Sequence, residues 1–211
     1  MKNKYVRLST IGLAALLILA AGICPAGAFE AKVSGQVNHL FMYADDGTEE
    51  NFLIGDNDNS STRFRFTGEE NFGMVKAGFT MEMEMESNTS SSMTIDQQDD
   101  GATTSLKERI LEGYFNTPYG KISIGQGDGA ANGTSEVDLS GTTVINYSDT
   151  LATAGSFSFR TSGGGTGPTV SETRNNFDGL SRNDRIRYDS PTIAGFFLST
   201  SMTNGEAWEI A

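Results

Sequence analysis

The stretch Val75–Glu86, VKAGFTMEMEME, alternates apolar residues with glycine, threonine and charged residues. Successive side chains of a β-strand point to opposite faces, so this period of two predicts a strand with one apolar and one polar face. A helix does not fit, because its apolar groups would recur every three or four residues. The pattern suits both a half-buried strand of a soluble protein and a strand between lipid and water.

The N-terminal residues predict export from the cytoplasm. Three basic residues lie within the first seven positions, an apolar run follows over residues 11–23, and small residues end at Ala28. This order is typical of a secretory signal peptide, and the apolar run is shorter than the ~20 residues that a membrane-spanning helix needs. We therefore predict a signal peptide over residues 1–28 and a mature domain over residues 29–211.

The composition excludes several classes of protein. The chain of 211 residues has a formal net charge of −12, and loss of the three basic residues with the signal peptide would bring it to −15. This acidic balance argues against nucleic acid as a partner. The one cysteine, Cys24, lies in the predicted signal peptide, so no disulfide framework is expected. Because the mature chain has no segment typical of a transmembrane helix, a membrane-spanning form would be a barrel.

Eight strands, and no long amphipathic helix, are predicted in the mature chain. Their ranges are 33–43 (with a bulge near His39), 62–68, 75–86, 109–116, 121–125, 156–161, 185–188 and 196–203. Tight turns are predicted at 69–73, 117–120 and 189–191, and long polar loops at 44–60, 87–105, 126–150 and 162–178. Short turns at one end of the strands and long loops at the other are typical of transmembrane barrels.

Several segments resemble the general porins of Gram-negative outer membranes. They are STRFRFTG at 61–68, VKAGFTME at 75–82, YGKISIGQ at 119–126, and RIRYDSP at 185–191 followed by AGF at 194–196. The resemblance covers about residues 33–202. It implies an all-β fold, an antiparallel transmembrane β-barrel of roughly sixteen strands that is water-filled and trimeric. It also implies that the third long loop, here residues 126–150, folds inward to narrow the pore.

The chain supplies about half of the strands of such a barrel. It ends at Ala211 without the aromatic-terminated last strand that is usual in outer-membrane barrels. We therefore expect it to be the N-terminal part of a longer porin. Eight strands can also close into a small barrel, so a compact eight-stranded barrel is the alternative.

The polar face of the strands predicts the residues that line the pore. A charge on the lipid side costs ~2–4 kcal/mol near the midplane, so charged residues that alternate with phenylalanine or methionine should face the lumen. The predicted basic pore-lining residues are Arg63, Arg65, Lys76, Arg109, Arg185 and Arg187, and the acidic ones are Glu82, Glu84 and Glu112. The resemblance implies that acids of the inward loop oppose this basic wall, with candidates Asp128, Glu136 and Asp138, and that the resulting field tunes which ions and solutes pass.

These observations predict an outer-membrane porin for passive diffusion of ions and small hydrophilic solutes. The expected partners are outer-membrane lipid and lipopolysaccharide, the permeating solutes, and two further copies of the full-length chain in a homotrimer. Two alternatives stay open. One is a small closed barrel with a structural or adhesive, non-conducting role, and the other is a secreted, soluble, all-β binding protein.

No enzyme, cofactor or metal site is predicted. Residues 125–130, GQGDGA, partly match a dinucleotide fingerprint, but no helix opens after them and no βαβ pattern surrounds them. His39, the one histidine, lies in the first strand, and the sequence identifies no partner acid or oxyanion loop that would assist catalysis. Residues 56–58, DND, resemble the start of a calcium-binding loop, but the closing glycine and glutamate are missing.

Overall fold

The computed structural model describes residues 30–97, 105–142, 145 and 149–211, and the predicted signal peptide lies outside these residues. Twelve strands occur in the described part: β1 (Glu30–Gln36), β2 (His39–Asp45), β3 (Glu50–Asp56), β4 (Arg63–Phe72), β5 (Val75–Glu86), β6 (Ser105–Thr117), β7 (Gly120–Asp128), β8 (Ser158–Arg160), β9 (Thr166–Thr169), β10 (Arg182–Asp189), β11 (Ser199–Thr203) and β12 (Trp208–Ile210). A 3-10 helix covers Asp58–Ser60, and the short helices α1 and α2 cover Thr150–Ala154 and Val170–Thr173. No helix in these ranges is long and apolar enough to cross a membrane.

Eight of the strands form one sheet, in the order β1-β4-β5-β6-β7-β10-β11-β12. Two-residue turns at Gly73-Met74 and Pro118-Tyr119 join β4 to β5 and β6 to β7. The strands β2 and β3 form a separate hairpin, as do β8 and β9. Because β7 pairs directly with β10, the described residues between them lie outside the main sheet, and we call residues 129–181 the inserted segment.

The burial of side chains on this sheet is the reverse of that in a soluble protein. Cross-strand register puts Met81 opposite Phe66, and Ile124 opposite Ile186, on one apolar face, where these four residues are 39% to 49% exposed. The other face holds buried polar residues, namely Glu82, Ser123, Arg185, Ser199, Ser201 and Glu209. Large apolar surfaces facing outward mark contact with lipid or with another protein, so the sheet has the two faces of a barrel wall.

The apolar face has a polar boundary near the inserted segment. On β7 and β10 the outward positions after Ile124 and Ile186 are taken by Gln126 and Asp184, which are opposite each other in the register. The next outward pair is Asp128 and Arg182. Charged and amide side chains are costly in hydrocarbon, so the apolar band ends at this level.

The first third of the chain differs from its sequence-based prediction. The predicted strand 33–43 is interrupted at Val37 and Asn38 and forms β1 and β2, which belong to different sheets. The predicted loop 44–60 is wrong, because it contains β3, which pairs with β2 along its whole length. Leu53 of β3 is buried together with Met93 and Ile95. These three residues give the β2–β3 hairpin a small apolar core. The Asp, Asn and Gly residues around Leu53 in the sequence led to the loop prediction.

The later strands are partly confirmed. The predicted strand 75–86 has the bounds of β5, whereas the predicted strand 156–161 is reduced to β8 and pairs with β9 instead of joining the main sheet. β9 falls in the predicted loop 162–178, and β12 was not predicted. The turn expected at 189–191 lies further on, where Ala194 and Gly195 have φ of 53° and 88°. Glycine is the residue that adopts positive φ without strain.

Candidate pore-lining site

On the polar face of the sheet, a buried glutamate of β5 accepts hydrogen bonds from three arginines. Glu82 is 1% exposed, and its carboxylate accepts hydrogen bonds from Arg63 Nη1 at 3.2 Å, Arg65 Nε at 2.6 Å and Arg109 Nε at 2.8 Å. Arg109 Nη1 also donates to Glu84 Oε2 at 2.6 Å. Charge-assisted bonds of this kind are about twice as strong as neutral ones. The predicted basic wall is therefore largely neutralised by the glutamates of the neighbouring strand.

A β-bulge explains how Arg109 reaches this cluster. Glu82 is opposite Ile110, but the next residue, Met83, is opposite Glu108, so β6 carries one extra residue at Arg109. Such an insertion re-aims the local side chains and increases the twist of the strand. Without it, simple alternation from Glu112 would place Arg109 on the apolar face.

A second ionic cluster lies on the polar face of β6, β7 and β10. Arg185, 6% exposed, donates to Glu112 Oε2 at 2.5 Å, and Lys121 Nζ lies 3.8 Å from the other oxygen of that carboxylate. Lys121 Nζ also lies 4.7 Å from the ring centroid of Tyr114, within cation–π range. Arg185, Lys121 and Glu112 thus tie three adjacent strands together.

The base of the inserted segment is held against the polar face. Arg187 Nη1 donates to the carbonyl of Gly129 at 2.6 Å, and Ser201 Oγ accepts the amide of Ala130 at 2.9 Å. On the returning chain, the Leu180 amide donates to Glu209 Oε1 at 2.6 Å. A Cβ added at Gly129 or at the positive-φ residue Gly179 would collide with the Glu209 carboxylate. A side chain at Gly129 would have to displace the Glu209 carboxylate, whereas Gly179 also has a φ of 61° that favours glycine.

The part of the inserted segment that lies far from its base contacts the loops that follow β3 and β5. Ser90 Oγ donates to the carbonyl of Ala152 in α1 at 2.6 Å, and Ser156 Oγ donates to the carbonyl of Ser91 at 2.7 Å. Asn57 Nδ2 donates to the carbonyl of Ile145 at 3.3 Å. With its base at β7, β10 and β12 and its far part at residues 57, 90 and 91, the segment crosses the polar face of the sheet.

A cavity of about 520 Å3 remains between the inserted segment and the sheet. Glu84 and Arg109 line it from the strands, and Glu136 lines it from the segment. The structure therefore brings a predicted wall arginine and a predicted loop acid to opposite sides of one polar space. Its other lining residues are Asp58, Asn59, Ser91, Asn132, Asp149, Leu151, Ala152, Asn176, Asp178, Ser181 and Arg182.

Three further predicted site residues do not line this cavity, although one of them, Asp128, contacts the lining residue Arg182. Lys76 pairs with Glu69 at 2.9 Å near the short turns, six residues from Glu82 along β5, or roughly 20 Å at the rise of a strand. Asp128 ends β7 in phase with Ile124, and its carboxylate pairs with Arg182 at 3.3 Å. Asp138 is partly buried and accepts hydrogen bonds from the amide and the hydroxyl of Ser140.

Three acids of the cavity were not among the predicted site residues. Asp149 caps α1 by accepting the Leu151 amide at 2.8 Å, and Asp178 accepts the Gly133 amide at 2.6 Å. Asp58 begins the 3-10 helix. The N-cap position of Asp149 was a readable local signal, but only long-range contacts bring the three acids together.

The DND segment has structural roles. Asp56 is 3% exposed, and its Oδ2 accepts the amides of Ser87 and Asn88 at 2.8 Å and 3.1 Å. His39 Nδ1 lies 3.5 Å from Asp56 Oδ1. Within the ranges that the structure covers, no group of three His, Cys, Asp or Glu side chains could hold a metal ion.

An ion pair joins the two small hairpins outside the main sheet. Arg160 Nε of β8 donates to Asp46 Oδ2 in the β2–β3 turn at 2.6 Å. The pKa of Asp46 is lowered, chiefly by the amide of Glu49 that donates to it, with further lowering by the Thr48 amide and by Arg160, while burial opposes the shift. A carboxylate with a depressed pKa stabilises the fold above its unfolded pKa, and this contribution is lost as the pH falls through the folded pKa.

We therefore expect Asp46→Asn to lower the free energy of unfolding at neutral pH, with the difference from the unsubstituted protein shrinking below the ordinary aspartate pKa of 3.8. Urea unfolding over a pH series measures this difference. Asp45→Asn is the matched control, because Asp45 accepts the Gly47 amide and forms no ion pair among the described residues. A pH-independent loss in Asp46→Asn would contradict the prediction.

A sheet with a polar inner face, an apolar outer face and a segment folded across the polar side is a partial transmembrane β-barrel wall. The sequence model described as "Gram-negative porin" matches residues 12–209, so the chain belongs to the Gram-negative porin family. The predicted family and the predicted antiparallel β fold are thereby confirmed.

Among solved structures, the chain is similar to the anion-selective porin from Comamonas acidovorans, with a TM-score of 0.52 and 19% sequence identity. The similarity covers 83% of this chain and 46% of that one. The chain thus spans about half the length of the solved porin, and at this identity the likeness shows the fold. A comparison with curated proteins finds no match.

Proposed function

We propose that the chain forms part of the wall and the constriction of a water-filled outer-membrane channel, through which ions and small hydrophilic solutes diffuse passively and without chemical conversion. The observation that carries this proposal is the inverted sheet, with Glu82, Arg185 and Ser201 buried on one face while Met81 and Ile124 are exposed on the other. A polar lumen and an apolar outer band are the requirements for a conducting barrel.

The inserted segment is proposed to narrow this channel. It crosses the polar face and leaves the 520 Å3 cavity between Arg109 on the sheet and Glu136 on the segment. Charged side chains at a narrow point decide which ions and solutes pass. In this proposal Arg63, Arg65, Glu82 and Glu84 form the wall beside the constriction, and Arg185, Arg187 and Glu112 hold the base of the segment.

The proposed partners follow from the exposed apolar face and from the family. Lipid of the outer membrane would cover residues such as Leu111 and Ile122, which are 44% exposed. Lipopolysaccharide would surround the loop end, and a homotrimer of the full-length chain would bury a further part of the apolar face.

Cysteine substitution combined with conductance tests the channel directly. The protein is extracted with detergent from membranes of producing cells and reconstituted into planar bilayers, where we expect stepwise conductance. Asn132→Cys places a thiol in the cavity lining, and a charged, water-soluble thiol reagent should lower its conductance. Met81→Cys, on the apolar face, should not respond, because lipid excludes the reagent.

The other outcomes identify the alternatives. Recovery in the aqueous fraction without detergent would support a soluble binding protein, and a membrane-bound protein that never conducts would support a structural or adhesive barrel. Equal blocking of Asn132→Cys and Met81→Cys would contradict the assignment of the two faces.

A further inference from the structure

The constriction cavity has acidic residues on every side. The carboxylates of Glu136, Asp149 and Asp178 line it from the inserted segment, Asp58 lines it from the 3-10 helix, and Glu84 lines it from β5. Two basic side chains, Arg109 and Arg182, share the lining. The ionisable groups of the lining therefore sum to an excess of negative charge at neutral pH.

Both of these basic side chains already have carboxylate partners. Arg109 pairs with Glu82 at 2.8 Å and with Glu84 at 2.6 Å, and Arg182 pairs with Asp128 at 3.3 Å. Arg174, the other arginine of this part of the inserted segment, donates to Thr150 Oγ1 at 2.8 Å. Little positive charge is left to attract an anion into the cavity.

Four acids of the lining have no such compensation. Among the described residues, no ion pair is formed by Asp58, Glu136, Asp149 or Asp178. Lys107 Nζ lies 3.9 Å from Glu84 Oε1, so this lysine compensates Glu84 and not these four acids.

Two further observations indicate that these negative charges lack counter-charges. Burial and the nearby Asp178 and Asp149 raise the pKa of Glu136, and Asp128 adds to the shift while Arg182 opposes it. Glu86 interacts electrostatically with the lining residues Asp58 and Glu84. It is 6% exposed, and its Oε1 has no hydrogen-bond partner in the described chain. A buried carboxyl group without a donor is costly to ionise, so Glu86 is a further sign that positive charge is scarce beside these lining residues.

We propose that the cavity lined by Asp58, Glu136, Asp149 and Asp178 makes this channel prefer cations to anions. The inference rests on the proposed channel function and adds the sign of its ion selectivity, which is opposite to that of the similar anion-selective porin from Comamonas acidovorans. An acidic, narrow space concentrates counter-ions and repels ions of like charge. The preference comes from the inserted segment and from Asp58, because Glu82 and Glu84 offset two of the three charges of Arg63, Arg65 and Arg109 on the sheet.

The reversal potential of the reconstituted protein in a potassium chloride gradient tests this proposal. We expect potassium to be more permeant than chloride. Glu136→Gln and Asp178→Asn should each lower the permeability ratio roughly threefold, the change in local ion concentration for one kT of potential. Asn at position 178 keeps the Oδ1 that accepts the Gly133 amide. Glu206→Gln, an exposed residue outside the lining, is the matched control.

The pH dependence gives an independent readout. As the pH falls toward the carboxyl range, Glu136 should take up a proton before an ordinary glutamate of pKa 4.5, so the cation preference should decline earlier in the unsubstituted protein than in Glu136→Gln. Conductance with chloride preferred, or a ratio unchanged in both cavity variants, would overturn the cation preference and leave the channel intact. Absence of conductance would overturn the channel function itself and this inference with it.

Discussion

Glu82→Ala should lower the free energy of unfolding by about 3–5 kcal/mol, the cost of removing one partner from a buried ionic network. Glu82 is 1% exposed and accepts hydrogen bonds from Arg63, Arg65 and Arg109. Its loss would leave three guanidiniums close together without their shared carboxylate, so repulsion between them adds to the lost bonds. Urea unfolding in lipid vesicles, followed by the fluorescence of Trp208, measures the effect.

Glu69→Ala is the control for this prediction. Glu69 lies on the polar face of the sheet, like Glu82, and pairs with Lys76 at 2.9 Å. The side chains of Glu69 and Lys76 are 46% and 39% exposed. Exposed ion pairs contribute about 0–1 kcal/mol, so this variant should remain close to the unsubstituted protein. Equal losses in Glu69→Ala and Glu82→Ala would show that burial of the Glu82 network contributes nothing.

Met81→Lys should destabilise the protein in a bilayer by about 2–4 kcal/mol, the cost of a basic side chain on the lipid face near the midplane. Met81 is on the apolar face and 39% exposed. Thr80→Lys moves the same change one residue along β5, to the polar face, where Thr80 is opposite Glu112 and next to Glu82. We expect a much smaller loss there, measured by the same unfolding experiment.

This pair of variants also separates a membrane protein from a soluble one. In water, a lysine at a partly exposed methionine position changes stability by roughly 0.5 kcal/mol or less. A large loss for Met81→Lys therefore requires a nonaqueous environment on that face. Near-equal stability of Met81→Lys and Thr80→Lys would contradict the barrel-wall assignment.

The two faces of the main strands could be predicted from the sequence because the period of two depends only on local geometry. Arg63 and Arg65 alternate with phenylalanines, and a tight turn follows them, so their pairing with Glu84 and Glu82 across the β4–β5 hairpin needs no distant information. The β-bulge at Arg109 could not be predicted in this way. One extra residue shifts the phase of β6, and nothing in the local alternation marks it.

The cavity could be predicted only in part. Glu136 was identified from its place in the expected inward loop, but Asp178 was not, since it joins the site through its contact with the amide of Gly133, far away in sequence. The strand β3 was not predicted from the sequence, for a related reason. Its one leucine, Leu53, is buried between two residues of β3 that contact another loop: Asn51 donates to the carbonyl of Ile95, and Gly55 lies against Met93. The local sequence alone has the composition of a turn-rich loop.

The direct pairing of β7 with β10 implies an order in which the chain acquires its structure. The hairpins β4–β5 and β6–β7 close over two-residue turns, whereas β10 can join only after residues 129–181 have been looped out. Closing a loop of that length costs on the order of 3 kcal/mol more chain entropy than closing such a turn. We therefore expect β10 to join after these hairpins have formed. Since the Arg185–Glu112 pair can form only then, its loss should change the rate of unfolding more than the rate at which the first hairpins assemble.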